Sequence, residues 1–447
     1  MPAGATFAPA EVSPHTVTPT APTHGRRLLL VTYQHPPMPF LGGDPWGGLT
    51  RNLRRLGHEV TIVTTGAHGD LPDDARLGVV RTPDLTAAAS LRQILRRPAV
   101  AREGEAAGVA KPAPALLTRV VVPDAYLLSW AAWAIPAVRR LVSERRIECV
   151  ITTSPPDSTH LVGLGLGTNR PAWLADFRDG WAFEGLREPF PTAVQRRLDV
   201  GLERRVVAGA DGVLASTRAM VSYFEARYGA GGAVVPNAWD ADLEPDVASA
   251  APPRLGADRV NLVYTGTLAG IRGHDDRGLL AALRRLASED PDTARRLRLV
   301  IAGRLTDRDA RMLAGEDLAP LVQVVGALPR PAAVALQRRG DALLLITSHH
   351  KSIAHGKLFE YLASGRPILA LAGDNEPARI VRETQTGEVV DPEDVEAIMR
   401  ALRRVAERSL PFSPRGLERF TSEATAEILD GSIEDAISRA QARLRGR

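Results

Sequence analysis

The stretch HHKSIAHGKLFEYLASGRP, residues 349–367, carries cations where a helix usually carries acids. Its apolar spacing predicts a helix over residues 355–364, and the partial positive charge at a helix N-terminus favours acidic residues in the first turn. Here no acid precedes Glu360. A bound anion would explain the arrangement, because backbone N–H groups, the helix dipole and Lys357 together suit a nucleotide diphosphate. A carboxylate at Glu360 then suits the ribose hydroxyls.

The alternative for the same residues is an ordinary surface ion pair. Lys357 and Glu360 are i,i+3 neighbours, which stabilises an exposed helix only slightly. In that interpretation they form a polar ridge with Tyr361 and Ser364, opposite an apolar face that contains Leu358. It leaves the basic first turn unexplained.

No metal site is predicted from the sequence. The histidines of residues 349–355 have no cysteine or aspartate among them, which argues against a metal centre. The DAD motif at residues 240–242 is interpreted as solvated charge. The pattern around Lys357 also lacks the glycine and hydroxyl positions of a Walker A loop.

Composition narrows the class of protein. A length of 447 residues suggests two or three domains, and a net charge of +4 is too small to indicate nucleic-acid binding. The single cysteine, Cys149, cannot form an intramolecular disulfide, which is consistent with the cytoplasm. Residues 1–25 are predicted to be a disordered leader. Trp130 and Trp133 leave peripheral contact with a membrane surface open, although helix packing is the preferred use.

Strands and helices alternate in two successive parts of the chain. Residues 26–239 and 259–410 each repeat a β–α pattern, and the acidic, Pro/Ala-rich residues 240–258 between them predict a linker. Residues 411–447 are expected to be a helical segment. The pattern predicts an α/β protein with two doubly wound Rossmann-like domains facing a central cleft, with ligands at the carboxyl ends of the strands.

An ordered set of motifs resembles the family 4 glycosyltransferases of GT-B fold. RRLLLVTYQHPPMPFLGG, WLADFRDGW and VVPNAWD occur in this order in the first part, and LVYTGTL, VQVVGALPR and GKLFEYLASGRPILAL in the second. The resemblance covers nearly all of residues 26–410. It implies a retaining transfer of a sugar from a nucleotide-sugar donor to an acceptor hydroxyl, without an obligatory metal or other cofactor.

The resemblance also implies that the two domains bind different substrates. The C-terminal domain should hold a UDP-, GDP- or dTDP-linked sugar, and the N-terminal domain should hold a small-molecule, lipid-linked or polysaccharide acceptor. The last helical segment should cross back to the N-terminal domain. The protein is expected in the cytoplasm or at the inner face of the membrane.

The resemblance implies donor-binding roles for the residues of this chain that match the family's donor-binding motifs. Two departures occur: Ser352 stands where the family has the first glutamate of its E-x7-E signature, and Thr267 stands where it has an arginine. Arg272 replaces the family's lysine, so the diphosphate is assigned to Arg272 and Lys357. The full set of expected donor-binding residues is Gly42, Gly43, Gly266, Thr267, Arg272, Leu328, Ser352, Gly356, Lys357, Leu358 and Glu360.

Two further candidate catalytic residues lie in the first domain. Arg178 and Asp179 align near the family's active-site histidine, where donor sugar and acceptor hydroxyl should meet. Together with Arg272 and Lys357 they are the predicted catalytic residues. A structural Arg178–Asp179 pair and a buried Asp176–Arg178 network are the alternatives. No protein general base is assigned, because the resemblance implies that the leaving phosphate takes the acceptor proton.

Two other functions remain open at this stage. A sugar-nucleotide epimerase on the same architecture would convert the donor without an acceptor. A catalytically silent nucleotide-sugar-binding protein would be consistent with the departures at Ser352 and Thr267.

Overall fold

A computed structural model describes most of the chain, and its residues cluster into two compact units. The first unit contains Thr23–Pro236, Lys351–Ile353 and Ser422–Arg447, and the second contains Asn237–His350 and Ala354–Thr421. The described residues are 25–38, 45–85, 119–184, 188–266, 277–313, 315, 317–347 and 349–446.

The first unit is built on a seven-stranded sheet in which each neighbouring pair is parallel. The strands are β1 Arg27–Thr32, β2 Glu59–Thr65, β3 Val79–Thr82, β4 Cys149–Ser154, β5 Ala172–Phe177, β6 Gly212–Ala215 and β7 Ala233–Val234. Their order is β3-β2-β1-β4-β5-β6-β7. The order therefore reverses direction between β1 and β4, which is the switch point of a doubly wound sheet.

Helices follow the strands of this sheet. They are α1 Pro45–Arg55, α2 Ala132–Glu144, α3 Thr159–Gly165, α4 Ala193–Gly209 and α5 Arg218–Tyr228, and a π-helix at Leu127–Ala131 precedes α2. In α1, Leu49 and Leu53 are buried on one side, and Gly57 adopts a φ of 93° just past its end. A glycine with positive φ just past the last turn is a common way for a helix to end.

The second unit repeats the architecture with six strands, each paired parallel to its neighbours. The strands are β8 Val260–Thr265, β9 Leu297–Ala302, β10 Val322–Val324, β11 Ala342–Ile346, β12 Ile368–Leu371 and β13 Gly387–Val390, in the order β10-β9-β8-β11-β12-β13. The helices are α6 Glu244–Ser249, α7 Arg277–Glu289, α8 Pro291–Arg296, α9 Asp307–Leu313, α10 Arg330–Arg339, α11 Gly356–Leu362, α12 Glu376–Thr384 and α13 Val395–Ala406.

The predicted α/β class with two doubly wound, Rossmann-like sheets is therefore confirmed. The strand sequences are mostly apolar runs because helices cover both faces of a parallel sheet. Accordingly, β8, β11 and β12 are buried along their whole length. The second switch point lies between β8 and β11. The carboxyl ends of these two strands are where a ligand is expected.

The last helix, α14 Ser422–Arg445, belongs to the first unit. Its buried side chains Leu429, Ile433 and Ala436 join the core that contains Leu28 and Ile151. The Asn52 side chain also donates a hydrogen bond of 2.9 Å to the Ser422 hydroxyl.

The segment expected as a linker is folded against the second unit. It contains α6, whose Val247 is buried with Trp239 and Val334. Two hydrogen bonds of 2.6 Å join the Arg338 guanidinium to the Glu244 carboxylate. Residues 244–249 are thus part of the packed domain rather than an extended connection.

Candidate functional site

A lysine lies at the switch point of the second sheet. β8 ends at Thr265, and Gly266 then adopts a φ of 125°, a conformation that favours glycine. A Cβ atom added to Gly266 would lie 3.1 Å from the Lys357 ammonium nitrogen. The backbone after β8 therefore passes directly beside the cation, at the strand end where ligands bind in this type of sheet.

The Lys357 ammonium is held by an aromatic ring rather than by a carboxylate. Its Nζ donates to the Tyr264 hydroxyl at 3.1 Å and lies 4.4 Å from the centroid of the Tyr264 ring. Among the residues that the structure describes, no acid forms an ion pair with it. Burial lowers the pKa of Lys357 below its usual value, and the nearby Tyr361 and Glu360 oppose that shift. A cation placed in this way is suited to receive an anionic ligand.

The structure corrects the interpretation of the surrounding helix. α11 spans seven residues rather than ten, and its first turn closes when the Leu358 N–H donates to the His355 carbonyl. A helix this short contributes little dipole, so the lysine itself carries most of the attraction for an anion. The expected polar ridge is also wrong, because Tyr361 is fully buried in the core with Leu358.

Glu360 is oriented by a hydrogen-bond network that does not include Lys357. Its two carboxylate oxygens accept from Arg330 Nε at 2.9 Å and from Gln337 Nε2 at 3.1 Å. The same Gln337 amide group donates to the Thr265 hydroxyl at 3.0 Å. The alternative interpretation, a surface ion pair between Lys357 and Glu360, is therefore wrong. A carboxylate has about four lone-pair sites, so two remain for a ligand hydroxyl.

The other expected donor-binding residues of this unit divide into two kinds. Gly356 is half-buried at the first position of α11, close to Lys357 in sequence. Leu358 is fully buried in the core, and Leu328 packs against the same core, so their side chains serve packing. Gly266, Lys357 and Glu360 are the predicted residues that the structure brings together at the end of β8.

Ser352 lies in the short segment that belongs to the first unit. Its backbone N–H donates to Glu184 Oε2 at 2.9 Å, and the N–H of Lys351 donates to the same oxygen. The Ser352 hydroxyl is buried without a hydrogen-bond partner in the described part of the chain. The prediction that Ser352 contacts a donor remains a prediction, as do those for Gly42, Gly43, Thr267 and Arg272, which lie outside the described residues.

Arg178 belongs to a buried network at the carboxyl end of β5. Its Nε donates to Asp176 Oδ2 at 2.8 Å and its Nη1 donates to the Val235 carbonyl at 2.9 Å. Asp176 Oδ2 also accepts from the Thr153 hydroxyl at 2.7 Å and from Trp46 Nε1 at 3.1 Å. The Asp176–Arg178 network was one of the three alternatives, and it is confirmed.

Two polar atoms of this network still lack a partner. Asp176 Oδ1 and Arg178 Nη2 are buried and make no hydrogen bond within the described residues. Asp179, the neighbouring candidate, is half-buried. His160 lies beside Phe177 at a ring distance of 4.4 Å, and burial lowers its pKa to about 3. His160 is therefore neutral near pH 7 and is not a cation at this edge.

The described residues contain no group of three or more His, Cys, Asp or Glu side chains that could hold a metal ion. Asp240 of the DAD motif instead caps a 3-10 helix by accepting from the Asp242 N–H. No helix in the described ranges is long and apolar enough to cross a bilayer.

Sequence reasoning missed several residues of both networks. Arg330 and Gln337 were absent from the predicted set although Arg330 ends the quoted string VQVVGALPR. Tyr264 and Trp46 were also missed, because an aromatic residue at the end of a strand or inside a helix resembles ordinary core. Only the hydrogen bonds of their polar atoms show what they position.

Comparisons with known proteins identify the class of enzyme to which this chain belongs. Residues 46–238 match the family model described as "Glycosyl transferase 4-like domain", and residues 259–408 match the one described as "Glycosyl transferases group 1". The chain belongs to the GT-B-fold, family 4-like glycosyltransferases and is an enzyme of glycosyl transfer. No curated protein sequence matches this chain.

Solved structures share the fold at low sequence identity. Sucrose-phosphate synthase from Thermosynechococcus elongatus is 15% identical with a TM-score of 0.56, over 94% of this chain and 98% of that one. A glycosyltransferase from Rickettsia africae is 13% identical with a TM-score of 0.55, over 95% and 100%. UDP-GlcNAc 2-epimerase from Neisseria meningitidis, bound to UDP-GlcNAc, is 11% identical with a TM-score of 0.50, over 91% and 99%.

The Arg178 network generates a prediction about stability. Arg178→Met should destabilise the first unit by about 3–5 kcal/mol, because it leaves the fully buried Asp176 carboxylate without its cation. The double variant Asp176→Asn/Arg178→Met removes both charges and should recover part of that loss. Urea denaturation of both proteins measures the difference. A double variant no more stable than Arg178→Met would contradict the assignment of an ion pair.

Proposed function

We propose that this enzyme is a retaining glycosyltransferase that uses a nucleotide-sugar donor. The observation that carries the proposal is the Lys357 ammonium beside the Gly266 backbone at the end of β8. A diphosphate in this position would gain a charge-assisted hydrogen bond from a cation that has no carboxylate partner among the described residues. Support also comes from the epimerase of the same fold, which is bound to UDP-GlcNAc.

The nucleotide is proposed to lie along the second unit. Its diphosphate contacts Lys357 and Arg272, and its ribose hydroxyls donate to the remaining lone pairs of Glu360. Arg330 and Gln337 act as positioning residues, since they fix both carboxylate oxygens of Glu360. Gly266 allows close approach because it has no side chain to occupy the space beside Lys357.

In the proposed reaction the bond between the anomeric carbon and the diphosphate breaks, and a bond from that carbon to the acceptor oxygen forms on the same face. The acceptor proton passes to the leaving diphosphate oxygen. Lys357 stabilises the negative charge that develops on the diphosphate, and its effect is greatest as the bond breaks. No metal or other cofactor is assigned a role. Arg178 and Asp179 are proposed to lie on the acceptor side.

Turnover tests this function. The purified protein is incubated with UDP-, GDP- and dTDP-sugars, with and without alcohol acceptors, and nucleoside diphosphate release is measured with NMR of the product's anomeric proton. We expect acceptor-dependent release of one diphosphate, retention of configuration and unchanged activity in excess EDTA. Conversion of a donor to another sugar nucleotide without release would indicate an epimerase instead. A strict requirement for a divalent metal would contradict the metal-independent mechanism.

The Glu360 network predicts a change in ribose selectivity. In Glu360→Gln the new amide group must place an N–H against either the Arg330 or the Gln337 donor, which disrupts its orientation. The preference for a ribonucleoside diphosphate over its 2′-deoxy analogue should fall about tenfold. Competition binding measures the ratio. Glu427→Gln, an exposed glutamate of α14, is the matched control and should keep the preference of the native protein.

A further inference from the structure

The outward face of α4 carries cations and apolar side chains but no acid. Positions spaced by three and four residues share one side of an α-helix, so seven of the exposed and half-exposed positions of α4 form a continuous stripe. We name this stripe the α4 face. It consists of Val194, Arg197, Leu198, Gly201, Arg204, Arg205 and Ala208.

Both acids of α4 point inward, which is the reverse of the usual arrangement. Asp199 accepts from Trp181 Nε1 at 2.8 Å. Glu203 is fully buried and accepts from the Ala182 N–H at 2.7 Å and from the Tyr228 hydroxyl at 2.6 Å. Because these carboxylates are used in the interior, they cannot neutralise the arginines outside.

The arginines of the α4 face are not used by the fold. Within the described ranges, Arg197, Arg204 and Arg205 form no ion pair and no side-chain hydrogen bond, although all three are exposed. No interaction within the described part of the chain therefore accounts for these three cations. An external anionic surface would satisfy them.

Large apolar side chains are exposed at the first turns of the same helix. Val194 is 73% exposed and Leu198 is 50% exposed. Gln195 Nε2 donates to the carbonyls of Arg119 and Val120, which places Val120, 57% exposed, beside them. Arg119 adds a further cation there, partly offset by Glu188 at 4.0 Å.

We propose that the α4 face binds the surface of an anionic phospholipid bilayer. The helix would lie parallel to the membrane, with Val194, Leu198 and Val120 entering the boundary between headgroups and acyl chains. The guanidinium groups would contact lipid phosphates, which suit their planar pairs of donors. Gly201 lets the middle of the helix approach closely, since a Cβ atom there would meet nothing within 4 Å.

The combination of features favours a bilayer over other anionic partners. Duplex nucleic acid would use the arginines but would offer no place for exposed valine and leucine side chains. An interfacial helix needs both features, with cations on the polar side and apolar side chains that insert. The inference is independent of the proposed donor, because binding to vesicles requires no turnover.

Co-sedimentation with vesicles tests the proposal. The full chain is mixed with vesicles of phosphatidylglycerol and phosphatidylcholine, or of phosphatidylcholine alone. We expect binding to the anionic vesicles that weakens as salt rises. The triple variant Arg197→Gln/Arg204→Gln/Arg205→Gln should bind about 100-fold more weakly, at about fivefold per arginine. Val194→Ser/Leu198→Ser should also bind more weakly.

Matched control variants test whether vesicle binding depends on the α4 face itself or only on the net charge of the protein. Arg339→Gln/Arg400→Gln/Arg445→Gln removes the same charge from three exposed arginines that also lack partners in the described chain, and it should bind nearly as well as the native protein. Ile428→Ser/Leu444→Ser is the apolar control. Thermal melting checks that each variant is folded.

Four results would overturn the proposal. They are an absence of binding to anionic vesicles, equal binding to phosphatidylcholine alone, and an equal loss in the control triple variant. The fourth is binding to duplex DNA but not to vesicles, abolished by the α4 triple variant, which would assign the face to nucleic acid.

Discussion

Burial of both faces of a parallel sheet is the constraint on which this structure depends. Helices cover the strands, and the two charged networks lie where strands end. At the end of β8 the result is Lys357 beside Gly266 and Tyr264, and at the end of β5 it is the Asp176–Arg178 pair. The two networks differ in charge: Lys357 has no carboxylate partner among the described residues, whereas Arg178 is paired with the Asp176 carboxylate.

The hydrogen-bond networks of both units are connected to the packing of the sheets. Gln337 joins Thr265 at the end of β8 to Glu360 on α11, so the sheet fixes the orientation of a carboxylate on a helix. In the first unit, Trp46 of α1 and Thr153 of β4 both donate to Asp176. Buried carboxylates need hydrogen-bond donors, and Asp199 and Glu203 of α4 likewise find donors in the interior. The cationic surface of that helix is a consequence.

The alternation of strands and helices could be read from sequence because apolar runs and closing glycines are local signals. β12 falls within the quoted string GKLFEYLASGRPILAL, β8 overlaps LVYTGTL, and Gly57 lies just past the end of α1. Pairings between distant residues could not be read in this way. Glu360 pairs with Arg330, thirty positions earlier, rather than with Lys357, three positions earlier. The sequence position of Tyr361 next to Glu360 suggested a place on the polar side of the helix. Its ring is instead part of the core, and its hydroxyl accepts a hydrogen bond from the Thr265 N–H.

Calorimetric titration with UDP, GDP, ADP and dTDP, and with the corresponding nucleosides, tests most directly whether Lys357 holds a diphosphate. The native protein, Lys357→Ala and the exposed-lysine control Lys351→Ala are compared. One diphosphate should bind, and Lys357→Ala should weaken it about 10- to 100-fold, as expected for a charge-assisted hydrogen bond, while nucleoside binding and the Lys351→Ala control change little. Equal losses for diphosphate and nucleoside, or no binding of any diphosphate, would contradict the account.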